Sequence, residues 1–189
     1  MGPFEFTELR PEDVQPEWQS WYESEHTQYY TRSGRKMSVL ELKQSIAIGS
    51  ERGNLFTLAI VDTISKNAIG TAKIGPIDPI HGLADFAIFI GERNFLGKGL
   101  GAALIEEGCD IAFSRYGVRK LHSGILERNV PSIKAYVKAG WIVEGVLHKH
   151  YKNGGIFQDW IMISKFNPEY AVKGQPRAHA LDITKYIMG

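Results

Sequence analysis

Leu83-Ala84-Asp85-Phe86-Ala87-Ile88-Phe89-Ile90, followed after a gap of six residues by Gly97-Lys98-Gly99-Leu100-Gly101, is the stretch that decides how this chain folds. The first run is almost continuously apolar and short, the pattern of a strand buried on both faces. The second is a turn of alternating glycines, and residues 100–116 then carry Leu104, Ile105, Ile111 and Ala112 at helical spacing, with Gly117 placed to stop the helix. A strand, a glycine turn and a helix in succession form a place where backbone N–H groups and a helix dipole can hold an anion.

Working outward, residues 119–126 read as a short strand. Residues 131–139 read as a short helix closed by Gly140, and residues 141–151 and 156–165 as strands around Lys152-Asn153-Gly154-Gly155. Upstream, residues 55–61 and 68–74 form a predicted hairpin, and residues 4–9 alternate as an entering strand. Between these lie a helical region with Trp18, Trp21 and Tyr22, and a second helix opened by the capping-box spacing Ser38 to Glu41 and marked by Val39, Leu42 and Ile46. The order β-α-α-β-β-β-α-β-α-β-β predicts an α/β or α+β sheet covered by helices. Residues 1–166 are the expected domain, and residues 167–189 a weakly attached tail.

Composition narrows the function. The 189 residues hold 22 Lys and Arg against 21 Asp and Glu, a formal charge of +1, without the basic excess that drives general nucleic-acid binding. No apolar run approaches the roughly 18 to 20 residues of a membrane span, and residues 1–10 show no basic-then-apolar leader, so a cytoplasmic protein without nucleic-acid or membrane partners is expected. The single cysteine, Cys109, falls inside the helix after the glycine turn, where packing outranks nucleophilic chemistry. His148 and His150 share a strand face but lack a third ligand, so no metal is expected.

Three phosphate sites compete for the glycine turn. A nucleotide P-loop needs four residues between its glycines and Ser or Thr after Lys, whereas Gly91 and Gly97 enclose five and Gly99 follows Lys98. A dinucleotide fingerprint is satisfied by Gly97, Gly99 and Ala102, with Glu127 as the ribose acid, but its turn should follow the strand at once. The third ligand is the pyrophosphate of an acyl-CoA. Residues 83–90, the glycine turn and its helix, Asn129-x-x-Ser132-x-x-x-Tyr136 and Gly140-Trp141 together resemble the GNAT superfamily of acyl-CoA-dependent N-acyltransferases. Leu96 departs from the Gln or Arg the family prefers there.

The resemblance implies a central mixed, mostly antiparallel sheet with splayed fourth and fifth strands and helices on both faces. It implies an acyl-CoA co-substrate, acetyl or longer, whose pyrophosphate rests on the backbone of Leu96, Gly97, Lys98, Gly99, Leu100 and Gly101. Pantetheine would face the backbones of Ile88, Phe89 and Ile90 and the side chains of Asn129 and Ser132, although Asn129 also suits a helix N-cap. Tyr136 would protonate the leaving thiolate, while its spacing with Ile133 and Val137 equally fits a core aromatic. Asp85 or Glu92 would take the amine's proton, and either is also readable as a solvated carboxylate.

For the acceptor, a small-molecule amine, the resemblance points to Tyr29, Tyr30, Arg32 and Arg35. Arginines among aromatics suit a diphosphate and a stacked base. His148, His150 and Tyr151 would line the same pocket, and the loop 73–81 ending in His81 is similar to members that act in surface-polysaccharide amino-sugar biosynthesis. A nucleotide-linked amino sugar is therefore the expected acceptor, with a protein N-terminus or a polyamine as the alternative and a non-catalytic CoA or nucleotide sensor as the rival from another class. A homodimer is left open.

Overall fold

The computed structural model describes residues 3–31, 36–153 and 155–170. Arg32, Arg35 and nearly all of the predicted tail lie outside the described residues. The strands are β1 (Phe4–Glu8), β2 (Phe56–Asp62), β3 (Ala68–Asp78), β4 (Leu83–Ile90), β5 (Lys120–Leu126), β6 (Ile142–Asn153) and β7 (Ile156–Phe166). The helices are α1 (Gln19–Glu23), α2 (Glu25–Tyr30), α3 (Val39–Arg52), α4 (Gly101–Tyr116) and α5 (Val130–Lys138). The predicted order is matched from β2 onward, and the predicted strands are all present. The main differences are that β3 continues past Ile74 to Asp78, and that the Trp18 region divides into a 3-10 turn, α1 and α2, with Ser24 capping α2 by accepting from the Thr27 N–H.

All seven strands form one sheet in the order β1-β2-β3-β4-β5-β7-β6. Every neighbouring pair is antiparallel except β4 and β5, which run parallel. A parallel pair needs a crossover, and α4 supplies it. Alternation along β4 sends Ala84 and Phe86 into the larger core beneath α4 and α5, with Leu104, Cys109, Ile133 and Trp141. Phe89 leaves the other face and packs with Trp18, Trp21, Tyr22, Leu42 and Ile46 under the N-terminal helices. The helices thus cover both faces, as expected. Burying these apolar surfaces, at about 25 cal/mol per Å², is the main term favouring the fold.

Candidate active site

The site begins with a break in sheet pairing. β4 is joined to β3 from Leu83 to Ile90, with one register shift between Ile74 and Ile77 of β3, and β5 to β7 from Lys120 to Leu126, so both outer edges are paired from end to end apart from that shift. Between β4 and β5 only Leu83–Lys120, Ala84–Leu121 and Asp85–His122 pair. Beyond that rung the strands part. Five residues of β4 then line an open seam, about 16 Å at roughly 3.3 Å per residue, whose inner main-chain groups have no strand partner and are available to an extended ligand.

The α4 end of the seam is built for an anion. Gly97 and Gly99 have φ of 70° and 74°, the left-handed region, and an added Cβ would meet no atom within 4 Å at either, so backbone conformation is what requires glycine there. Gly101 differs: its Cβ would lie 3.1 Å from that of Ala135, and its smallness lets α4 approach α5. The α4 N-terminus has Leu100 at its N-cap and no side-chain cap, so its first N–H groups remain to be satisfied. Lys98 adds a positive charge on this exposed turn and lies 5.4 Å from the Phe95 ring centroid. Uncapped amides, a helix dipole and a cation fit the pyrophosphate of CoA.

Tyr136 reaches the seam from α5. Its ring is buried, edge-on to Phe86 and Trp141 at 6.4 and 4.9 Å between centroids. Burial pushes its hydroxyl well above the usual tyrosine range, while the Ile88 backbone on β4 and the Ser123 hydroxyl on β5 pull weakly the other way. Both readings of Tyr136 therefore meet in one residue: a core aromatic whose hydroxyl stands between the parted strands, protonated at neutral pH and able to give a proton to a leaving thiolate. Asn129 caps α5, its Oδ1 accepting the Ser132 N–H at 3.2 Å, which orients that helix and leaves the residue beside the seam's open end. Buried Cys109 has its thiol pushed up to about 12 by desolvation, which keeps it a neutral packing group.

The opposite face of the sheet carries a second set of polar and aromatic groups. Asp85 Oδ1 lies 3.1 Å from His122 Nδ1 at the last paired rung. His122 was not among the predicted residues. Its strand was legible, but the parallel register that sets it beside Asp85, across 37 positions, depends on the crossover. Lys120 Nζ meets both oxygens of Glu144 at 2.6 and 2.9 Å. Along the same strand face, a Cβ on Gly124 would come 2.0 Å from the Trp160 indole, so the ring lies flat on the bare backbone. Trp160 stacks edge-on with Tyr151 at 5.0 Å, and Tyr151 with His150 at 4.7 Å. Trp160 and Gly124 were also missed, because a lone tryptophan and a lone glycine carry no motif.

The other expected residues are not all drawn together. Tyr29 lies under the Arg128 guanidinium at 4.7 Å, and Tyr30 packs against Tyr29 and His26. His148 pairs with Asp159 at 2.9 Å, and a register shift between Leu147 and Tyr151, with Lys149 at φ 52°, interrupts the alternation that would have aligned His148 with His150. Glu92 lies beyond the end of β4. Its N–H bonds Ile69 of β3, its carboxylate faces the Asn94 N–H, and it lines a groove with Trp18, Trp21 and Lys66 on the closed side of β4, away from the seam. His81 pairs with Asp78 at 2.8 Å in the exposed loop before β4, beyond the closed end of the seam. Among the described residues no three His, Cys, Asp or Glu side chains gather as metal ligands, and no helix is long and apolar enough to cross a membrane.

Comparison with known proteins places the fold. A probable N-acetyltransferase of Bacillus subtilis, YjcK, is 26% identical over 144 residues, 75% of this chain and 76% of its own length. The spermidine N(1)-acetyltransferase of Vibrio cholerae is 29% identical over 111 residues, 57% of this chain and 64% of that one. The crystal structure of spermidine N-acetyltransferase from Vibrio cholerae with CoA and spermine superposes with a TM-score of 0.77 at 21% identity, covering 87% of this chain and 95% of that one, a likeness of fold. The acetyltransferase (GNAT) domain profile matches residues 4–142, and the chain belongs to that family, whose members acylate amines from acyl-CoA.

Proposed function

We propose that this chain transfers an acetyl or other short acyl group from acyl-CoA to the primary amine of a nucleotide-linked amino sugar, by direct attack in a ternary complex. The seam that opens after Asp85 and His122, with the Tyr136 hydroxyl between its walls, is the observation that carries the acyl transfer. The Ile88 to Ile90 main chain holds the thioester arm, the amides at residues 97–101 hold the pyrophosphate, and Tyr136 protonates the departing sulfur. A main-chain N–H aimed at the carbonyl oxygen contributes roughly 3 kcal/mol in comparable acyl transfers.

The acceptor reading rests on charge. The segment His148-Lys149-His150-Tyr151-Lys152 is cationic and aromatic and continues the wall made by Trp160, which suits phosphates and a stacked base. Asp85 and Glu144 are already matched to His122 and Lys120, which leaves that face poorly suited to a polycation. A polyamine acceptor is the second reading, favoured by the spermidine N(1)-acetyltransferase relative. One assay separates them: free-thiol release from a series of acyl-CoAs with nucleotide-linked amino sugars, spermidine and peptides bearing a free N-terminus. Turnover confined to the sugar nucleotides is expected. Turnover of spermidine overturns the acceptor, and thiol release with no amine overturns the activity.

A further inference from the structure

We infer that His122 is the base that accepts the acceptor amine's proton, with Asp85 behind it as a positioning residue. This deepens the acyl-transfer reading and rests on it. The two side chains leave the acceptor-side face of the sheet at the last rung before β4 and β5 part, the place where that face meets the thioester arm. His122 Nδ1 faces Asp85 Oδ1 at 3.1 Å, which leaves Nε2 on the other side of the ring from the carboxylate. A carboxylate accepting from Nδ1–H fixes the tautomer whose lone pair is on Nε2. The imidazole is 36% exposed, so an amine can approach it, whereas Asp85 is spent on the ring.

The step balances without a further reagent. The amine nitrogen bonds to the thioester carbonyl carbon as the C–S bond breaks. The proton lost by nitrogen goes to Nε2, and the sulfur takes the Tyr136 proton. Solvent then carries a proton from His122 back to Tyr136, and the net products are an amide and a free thiol.

The charged groups around His122 are Asp85 on β4, Lys120 on β5 and Glu144 on β6, and its β7 neighbour is the uncharged Ser164. The Asp85 hydrogen bond raises its pKa most strongly, partial burial opposes this, Asp85's charge adds to it, and Lys120 and Glu144 act in opposite directions. A base of raised pKa is active above that pKa, so kcat/KM should fall as pH drops through it.

The test is the pH profile of kcat/KM, from thiol release with the best amine, for the wild-type protein, His122→Gln and Asp85→Asn. His122→Gln should lose about 10²-fold at neutral pH and the acid limb of the profile with it. Asp85→Asn should keep the limb but move it to lower pH, a shift that a purely structural carboxylate would not produce. CoA affinity by calorimetry should be unchanged in both and reports that each variant is folded. A limb retained in His122→Gln, or unmoved in Asp85→Asn, overturns the assignment while leaving acyl transfer intact. A wild-type protein that releases no thiol with any amine overturns the acyl-transfer reading and this inference together.

Discussion

β4 has one edge closed and one edge open, and the contrast between them locates the chemistry. Towards β3 the pairing continues to Gly70–Ile90, and towards β5 it stops at Asp85–His122. Both edges belong to the same eight residues, so the side chains of β4 cannot explain the difference. It arises from the neighbours. β3 is joined to β4 by a short loop that favours continuous antiparallel pairing, whereas β5 arrives after the α4 crossover and is held to β7 along its whole length. A sheet zipped on both flanks and parted in the middle supplies unpaired main chain without exposing an outer edge.

If the open edge is catalytic, the largest effect should come from the one side chain that stands in it. Tyr136→Phe keeps the ring packing against Phe86 and Trp141 and removes only the hydroxyl. We expect kcat to fall by about 10²- to 10³-fold with CoA affinity unchanged. A sensor would keep its ligand and its output, so an unaltered response in this variant would turn the open edge into a binding device. Next in size is Gly99→Asp, which puts a strained left-handed residue and a negative charge where the pyrophosphate is proposed to rest. CoA affinity should drop about 30- to 100-fold by calorimetry, and unchanged affinity would move the cofactor away from the α4 N-terminus.

Two glycines, one on each side of β4, sharpen the comparison further. A Cβ on Gly70 would stand 2.0 Å from the Phe89 carbonyl oxygen, and one on Gly124 2.0 Å from the Trp160 indole. The distances match, but backbone cannot yield and a side chain can rotate. Gly70→Ala should therefore destabilise the fold by about 2–3 kcal/mol, read as a fall in Tm of roughly 5–10 °C. Gly124→Ala should change Tm little and raise the acceptor KM about tenfold, through a displaced Trp160. Equal thermal losses in both would show that the open edge is as rigid as the closed one.

What the sequence disclosed follows the same division. The strands, the helices and the glycine turn were legible because each announces itself locally: alternating apolar residues, the Ser38 cap, and glycines at 97 and 99 that no other spacing explains. The side proposed for the cofactor was readable as a pattern for the same reason, since residues 97–101 and 129–136 are contiguous motifs. The acceptor side was not. Asp85 and His122 meet only through parallel register, Trp160 covers Gly124 only because β7 returns beside β5, and Glu92 is carried to the β3 side by the turn after β4. Local pattern reports what one element does, and the acceptor face is assembled from four strands.

The smallest effect belongs to the closed end of the seam, where Lys120 grips Glu144. Partial burial alone would raise the Glu144 carboxyl, but Lys120, chiefly, with the Ser164 hydroxyl and the His122 charge, more than offsets this and holds it below the usual glutamate range. A depressed carboxylate contributes stability that is present above its unfolded-state pKa and lost as pH falls through the lower folded value. Lys120→Met removes the partner, so the variant should be less stable than wild type by at most about 1 kcal/mol at neutral pH. The gap should close in acid, below the ordinary glutamate value of 4.5. Urea denaturation of both proteins across that range measures the difference directly. Because Lys120 and Glu144 also act on His122 in opposite directions, the same substitution should leave CoA affinity alone while nudging the acid limb of turnover upward. A change in CoA affinity instead would mean that the closed end sets the width of the open one, and that the two halves of the seam work as a single element.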